Sequence, residues 1–145
     1  MRLWRVSPAR TLQDACRSDK AGRWSWASRD VLYASCTPEL AVLEALAHLA
    51  EKDATHWLCA VDVPDAARPT RVKDLPHDWR VQQTLTRRIG NDWFDRQASP
   101  LLLVPSALCH EGTNVLVNPL HRRVRGMRMQ VIRRFQFDRR LSRGA

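Results

Sequence analysis

The sequence predicts an α+β fold, a single compact domain over residues 1–145 in which helices flank a mixed or antiparallel sheet. Three observations carry this. Short apolar or alternating runs of strand length are spread from Arg2 to Asp138, with two stretches of helical character among them. A chain of 145 residues that is 44% hydrophobic fills one core and leaves no room for a second. No strand leads into a Gly-x-Gly-x-x-Gly or Walker loop, which argues against a Rossmann or P-loop nucleotide site.

In chain order, Arg2-Leu3-Trp4-Arg5-Val6 alternates like a half-buried strand and ends at Ser7-Pro8. Thr11 to Cys16 has the length of a short helical turn, and 18–22 reads as loop. In Gly22-Arg23-Trp24-Ser25-Trp26 the glycine frees the backbone. Arg23 then stands where a guanidinium can fork onto a phosphate or carboxylate, although an arginine lying over a tryptophan face fits as well. Val31-Leu32-Tyr33-Ala34-Ser35 is an apolar run that reads as a buried strand, with Tyr33 near its end, where both core packing and ligand contact occur.

That strand feeds a helix from Thr37 to Lys52, opened by a hydroxyl cap, a proline at the first helical position and Glu39 against the positive end of the dipole. Leu40, Leu43, Ala47 and Ala50 recur at helical spacing, and Val42, Leu46 and Leu49 widen the apolar surface, so the helix is expected to be buried on most sides. Glu44 falls inside that surface, one turn from Leu40, Ala41, Ala47 and His48. An unpaired carboxylate there would cost several kcal/mol. Two readings follow: a carboxylate satisfied by a core Arg or His, or a pocket carboxylate with chemistry to do.

Trp57 to Val63 reads as a strand stopped at Pro64, and Asp65 to Pro69 as a connector. A helix is expected from about Trp79 to Ile89, with Asp78 as its cap and Gly90 as its stop, followed by a separate short turn at Asn91-Asp92-Trp93-Phe94. Leu101 to Ser106 is the most apolar strand and is expected to be central. Ser106 lacks the Gly-x-Ser-x-Gly setting of a hydrolase nucleophile and fits a hydrogen-bonding role in a pocket wall. Asn114 to Pro119 and Arg133 to Asp138 complete the strands.

The net charge of +9 is uneven: residues 121–145 hold nine arginines and one acid, +8 of the total. Such a basic end suits nucleic acid or an acidic partner, and equally the solvated face of a strand. Cys16, Cys36, Cys59 and Cys109 are far apart with no Cys-x-x-Cys pair, which favours reduced thiols over a metal site or disulfides. Cys109-His110 are adjacent, but adjacency does not supply the geometry of a nucleophile and its base. No run is apolar enough to span a bilayer and the first residues lack a signal-peptide core, so a cytoplasmic location is expected.

Taken together, Gly22-Arg23-Trp24, Val31 to Ser35, Leu43-Glu44, Leu75-Pro76, Gly90-Asn91-Asp92-Trp93, Val104-Pro105-Ser106, Asn114 to His121 and Phe135 to Leu141 resemble the RES domain, a bacterial toxin family paired with Xre-type antitoxins. The order and spacing of these pieces carry the resemblance, which covers almost the whole chain. One departure is that Ser25-Trp26-Ala27-Ser28 stands where the family usually has Asn and a Pro/Gly turn.

The resemblance implies one RES-type domain over 1–145 with a fold like that of ADP-ribosyltransferases, no metal, and NAD as substrate. It implies a growth-arresting toxin that breaks the nicotinamide–ribose bond as a phosphorylase or glycohydrolase, or alternatively modifies a protein by ADP-ribosylation. Two other classes remain: a basic nucleic-acid-binding module, and a structural or regulatory protein in which Glu44 is a core ion pair. On this resemblance Glu44 is the carboxylate facing the ribose. Arg23, with Arg5, is the pyrophosphate cation, Tyr33 packs on the nicotinamide or ribose, Ser106 hydrogen-bonds the same end as a further catalytic residue, and Asn114 is a candidate for the pocket wall. The implied partner is an Xre-type antitoxin with an N-terminal DNA-binding domain, so that DNA contact runs through a hetero-oligomer with that antitoxin.

Overall fold

A computed structural model describes residues 1–48 and 54–142. The strands are β1 (Arg2–Ser7), β2 (Leu32–Ser35), β3 (His56–Asp62), β4 (Pro69–Arg71), β5 (Leu101–Pro105), β6 (Thr113–Val117) and β7 (Arg128–Phe135). The helices are α1 (Leu12–Cys16), α2 (Pro38–Ala47) and α3 (Gln83–Arg96). The strands form one seven-stranded sheet in the order β4-β5-β6-β2-β1-β3-β7. Only β4 and β5 run parallel; every other neighbouring pair is antiparallel. The α+β fold with a mixed sheet is therefore as expected from the sequence, and β5, though not central, is buried along most of its length.

Four elements differ from expectation. The connector ending at Pro69 continues into β4, whose backbone pairs with β5 and whose next residue, Val72, donates to Leu103 O at 3.0 Å. The strand expected at Arg133 starts earlier, at Arg128, because the whole of β7 pairs with β3 across a bulge between Leu58 and Cys59. In α3, Asp78 caps nothing: its carboxylate accepts from Gln82 Nε2 at 2.6 Å, and it lies five residues before regular helix begins at Gln83.

Gly90 does not stop α3 either. The helix runs through it to Arg96 because Trp93 and Phe94, one turn on, are buried with Leu102, Val104 and Leu116 of the sheet. It ends at Gln97, which takes the left-handed φ of 47°. The fourth difference is α2. Thr37 caps it, accepting from Leu40 N at 3.2 Å, but only Leu40 and Ala41 are buried and Leu43 is 38% exposed. An all-round apolar surface is therefore not an all-round buried one, since α2 packs on the sheet along one side only. The expected continuation from Leu49 to Lys52, and Arg143, lie outside the described residues.

The sheet has two covered faces. Leu3, Leu32, Ala34, Val61, Leu101, Val115 and Val117 pack on one side with Ala15 and Cys16 of α1. On the other, α3 covers β5 and β6 through the Trp93 cluster, while α2 covers β1 and β3 through Val6, Ala41 and Leu58. Alternation along β2 puts Tyr33 and Ser35 on this second face, between the two helices. That strip between α2 and α3 is where the polar residues gather.

Candidate active site

Glu44 projects from α2 toward the ends of β5 and β6. Its Oε1 accepts a hydrogen bond of 2.6 Å from Ser106 Oγ and another of 2.6 Å from Asn114 Nδ2. Among the described residues no Arg, Lys or His pairs with it. The burial cost is thus met by two neutral donors on one oxygen, leaving Oε2 without a protein hydrogen bond among the described residues.

Both donors are themselves held. Ser106, fully buried, follows Pro105 at the end of β5, and its N–H donates to Gly112 O at 3.0 Å to close the loop between β5 and β6. Within that loop the N–H groups of Leu108 and Cys109 donate to Ser106 Oγ at 3.1 and 3.2 Å, so the hydroxyl proton is turned toward Glu44. Asn114 Oδ1 accepts from Ser35 Oγ at 2.7 Å across the β2–β6 pair. Ser35 ends the run at 31–35, where the sequence reading gives it no role beyond that of a strand residue.

A second group of residues surrounds the loop that presents Arg23. Three α3 residues grip its backbone. Thr86 Oγ1 donates to Arg23 O at 2.6 Å, Arg87 Nε donates to Gly22 O at 2.8 Å, and Gly90 lets the helix approach the Trp24 carbonyl. A Cβ on Gly90 would lie 1.8 Å from that oxygen, which explains a glycine inside a helix better than a helix stop does. Arg23 donates through Nη1 to Arg80 O at 2.7 Å and lies 5.8 Å from the Trp79 ring centre, with Nε and Nη2 uncommitted to protein among the described residues. In the atypical stretch after it, Ser25 is buried while Trp26 is 44% exposed beside Arg87.

Tyr33 ties this loop to the sheet. Its hydroxyl accepts from Trp24 N–H at 3.2 Å and pairs with Ser25 Oγ at 2.8 Å. Burial pushes the phenol above its ordinary value, against the pull of Ser25, Trp24 and the nearby Arg87 cation, so it stays protonated near neutral pH. The phenol is spent on holding the Arg23 loop, which the sequence reading of a residue packing on ligand does not include. Tyr33→Phe, which keeps the ring, is expected to lower stability by about 1 kcal/mol, the scale of a lost hydrogen bond, measurable by urea unfolding. Unchanged stability would mean the hydroxyl holds nothing.

Arg5 does not join the group. It alternates onto the opposite face of the sheet with Leu3, near Cys16 and Cys59, and donates to Tyr33 O at 2.6 Å and Ser7 Oγ at 3.2 Å. Burial lowers its pKa, yet an arginine remains charged, so β1 carries a cation behind Tyr33 and not in the pocket. The cysteines divide: Cys16 and Cys59 are buried, and burial pushes the Cys16 thiol up to about 11, whereas Cys109 is half-buried and Cys36 exposed. Cys109 Sγ donates toward Glu111, not to the neighbouring His110. Among the described residues no cluster of three or more metal-ligating side chains occurs, and no helix is long and apolar enough to cross a membrane. A cavity of about 460 Å³ borders the loop after Ser106, lined by Leu40, Leu43, Leu103, Cys36, Cys109 and Arg71 among others; Glu44, Ser106 and Asn114 do not line it.

A family model described as the RES domain matches residues 2–140. The chain is similar to a protein named Toxin Res from Pseudomonas putida, 36% identical over 90% of this chain and 93% of that one. It is similar to a Prs ADP-ribosylating toxin from Sphingobium, 31% identical over 99% and 98% of the two chains. Among solved structures, a chain from the crystal structure of the M. tuberculosis MbcT–MbcA toxin–antitoxin complex superposes with a TM-score of 0.69 over 97% of this chain and 85% of that one, at 16% identity. At that identity the likeness is one of fold.

Proposed function

The chain belongs to the RES domain family, and on that footing we propose that it is the toxin of a toxin–antitoxin pair, an enzyme that breaks the nicotinamide–ribose bond of NAD. The observation that carries this reading is Glu44: a carboxylate anchored through one oxygen by Ser106 and Asn114, with no cation on it and the other oxygen uncommitted among the described residues. Heterolysis leaves both electrons of the C–N bond on the departing nicotinamide, and the ribose carbon takes on oxocarbenium character. A preorganised, half-buried carboxylate stabilises that cation where it develops, and water, phosphate or a side chain then completes the ribose carbon. Ser106 and Asn114 hold Glu44 in place. Arg23 supplies a guanidinium fork of the kind a pyrophosphate needs when no glycine-rich helix N-terminus is present. Arg5 acts from behind the sheet, fixing the Tyr33 backbone.

The direct test is incubation of the protein with NAD, with and without phosphate, and chromatographic analysis of products. Release of nicotinamide is expected; phosphate-dependent release identifies a phosphorylase, and phosphate-independent release a glycohydrolase. A second reading, transfer of ADP-ribose to a protein, is favoured by the relative named as a Prs ADP-ribosylating toxin. It is distinguished by label from adenine-labelled NAD entering protein. No nicotinamide release under either condition, with no labelled protein in cell extract, would remove the enzymatic reading.

An enzyme that consumes NAD must be silenced in its own cell. We assign that role to a protein antitoxin, of Xre type with a DNA-binding domain, in keeping with the structural neighbour solved as a toxin–antitoxin complex. Arg23→Ala is expected to raise KM for NAD about tenfold or more with little change in kcat, because ground-state and transition-state pyrophosphate are nearly alike and a phosphate fork supplies mostly uniform binding. A fall in kcat as deep as that of a Glu44 variant would contradict the phosphate role.

A further inference from the structure

The geometry points to Ser35 as the positioning residue for Glu44, acting through Asn114; this inference rests on the catalytic reading of Glu44 given above. A carboxylate accepts hydrogen bonds and donates none, so Glu44 Oε1 at 2.6 Å requires Asn114 to turn its Nδ2 toward it. That choice leaves Asn114 Oδ1 facing β2, where it needs a donor. Ser35 Oγ, on a buried residue, supplies it at 2.7 Å. The two donors on Oε1 are thus oriented by different devices. Backbone N–H groups of the loop after β5 aim the Ser106 proton, and a side-chain hydroxyl on β2 aims the Asn114 amide.

The consequence for chemistry is directional. Two donors converging on one carboxylate oxygen fix the plane of the group and therefore where Oε2 points. Without the Ser35 hydroxyl only the bond to the carboxylate itself restrains the amide, and Asn114 Oδ1 is left facing β2 without its donor, so the amide plane is held at one end instead of two. Glu44 would keep its charge and its place on α2 but lose one of the two restraints on its orientation. The loss belongs to kcat, because electrostatic stabilisation of a developing charge depends on preorganisation, whereas the pyrophosphate end of the substrate is untouched.

The test is a double-mutant cycle on nicotinamide release from NAD. Ser35→Ala is expected to lower kcat about tenfold, the scale of one hydrogen bond, with KM within about twofold of the parent. In an Asn114→Ala background the same change is expected to have no further effect on kcat, because the residue it acts through is gone. Ser35→Thr, which keeps the hydroxyl, is expected to recover most of kcat. A purely structural cross-strand pair would instead lower the melting temperature and leave kcat at the parent value. Parental kcat in Ser35→Ala, or a tenfold loss that persists without Asn114, would overturn the proposal.

A readout independent of turnover accompanies it. The side-chain amide resonances of Asn114, identified by their absence in Asn114→Ala, are expected to shift in Ser35→Ala; unshifted resonances overturn the relay whatever the activity. Glu44→Gln is measured alongside. If that variant releases nicotinamide at the parent rate, the catalytic reading of Glu44 fails. If it is inactive while Ser35→Ala is parental, the Ser35 relay alone fails.

Discussion

Glu44→Gln is expected to lower nicotinamide release by roughly 10²–10³, the scale of removing one preorganised electrostatic group, while the thermal midpoint stays near that of the parent. The site geometry decides the stability half of this expectation. Had Glu44 satisfied a buried cation, the amide would leave that cation unpaired at a cost on the order of 3–5 kcal/mol. Its partners are instead a serine hydroxyl and an asparagine amide, and a glutamine carbonyl oxygen accepts from both at the same position. What the substitution removes is the charge, the free oxygen being replaced by an amide nitrogen of nearly the same size. Turnover by coupled chromatography and melting by calorimetry on the same preparation separate the two effects. A folded Gln variant with parental turnover would sink the catalytic role.

Gly90→Ala is expected to destabilise the protein by on the order of 3 kcal/mol, a melting-temperature fall of roughly 10 °C, and to weaken NAD binding with it. Two effects of opposite sign compete. Alanine is favoured over glycine in a helix by about 1 kcal/mol, so propensity alone predicts a gain. The new methyl, however, would lie 1.8 Å from the Trp24 carbonyl oxygen and 2.8 Å from its carbon, both backbone atoms on a buried residue, and neither can swing aside as a side-chain tip would. The helix and the Arg23 loop must separate, and the hydrogen bonds from Thr86 and Arg87 to that loop would be strained or lost. Steric displacement of main chain outweighs propensity. A melting temperature at or above the parent value would show that the loop yields easily and that α3 does not position it.

Much of the fold is legible in the chain because its signals are local. Thr37-Pro38-Glu39 caps and starts α2 where the residue types require it, and the apolar runs at 31–35, 57–63 and 101–106 fall on β2, β3 and β5. The errors arise where a distant partner overrides a local signal. Gly90 carries the composition of a helix stop, yet Trp93 and Phe94 find a sheet to pack on and the helix continues. The three residues of β4 are all exposed and show no apolar pattern; they are a strand only because β5 lies beside them. The apolar breadth of α2 suggests burial on most sides, but how many sides are covered depends on what lies across from them.

The candidate site divides along the same line. The sequence by itself determines that Glu44 sits on an apolar helix, that Arg23 follows a glycine in a loop, and that Ser106 ends one strand while Asn114 opens another, because side-chain type and periodicity are properties of short segments. Only the tertiary structure decides which of these meet. It brings Ser106 and Asn114, 62 and 70 residues away, onto one oxygen of Glu44, and adds Ser35 behind Asn114. It turns Arg5 to the far face of the sheet through the period-two alternation of β1 in its register with β3, and enlists Thr86, Arg87 and Gly90 to hold the loop of Arg23. Hydrogen-bond direction and close approach are set by strand register and helix docking, which arise from contacts between segments distant in the chain, and no window along it contains them.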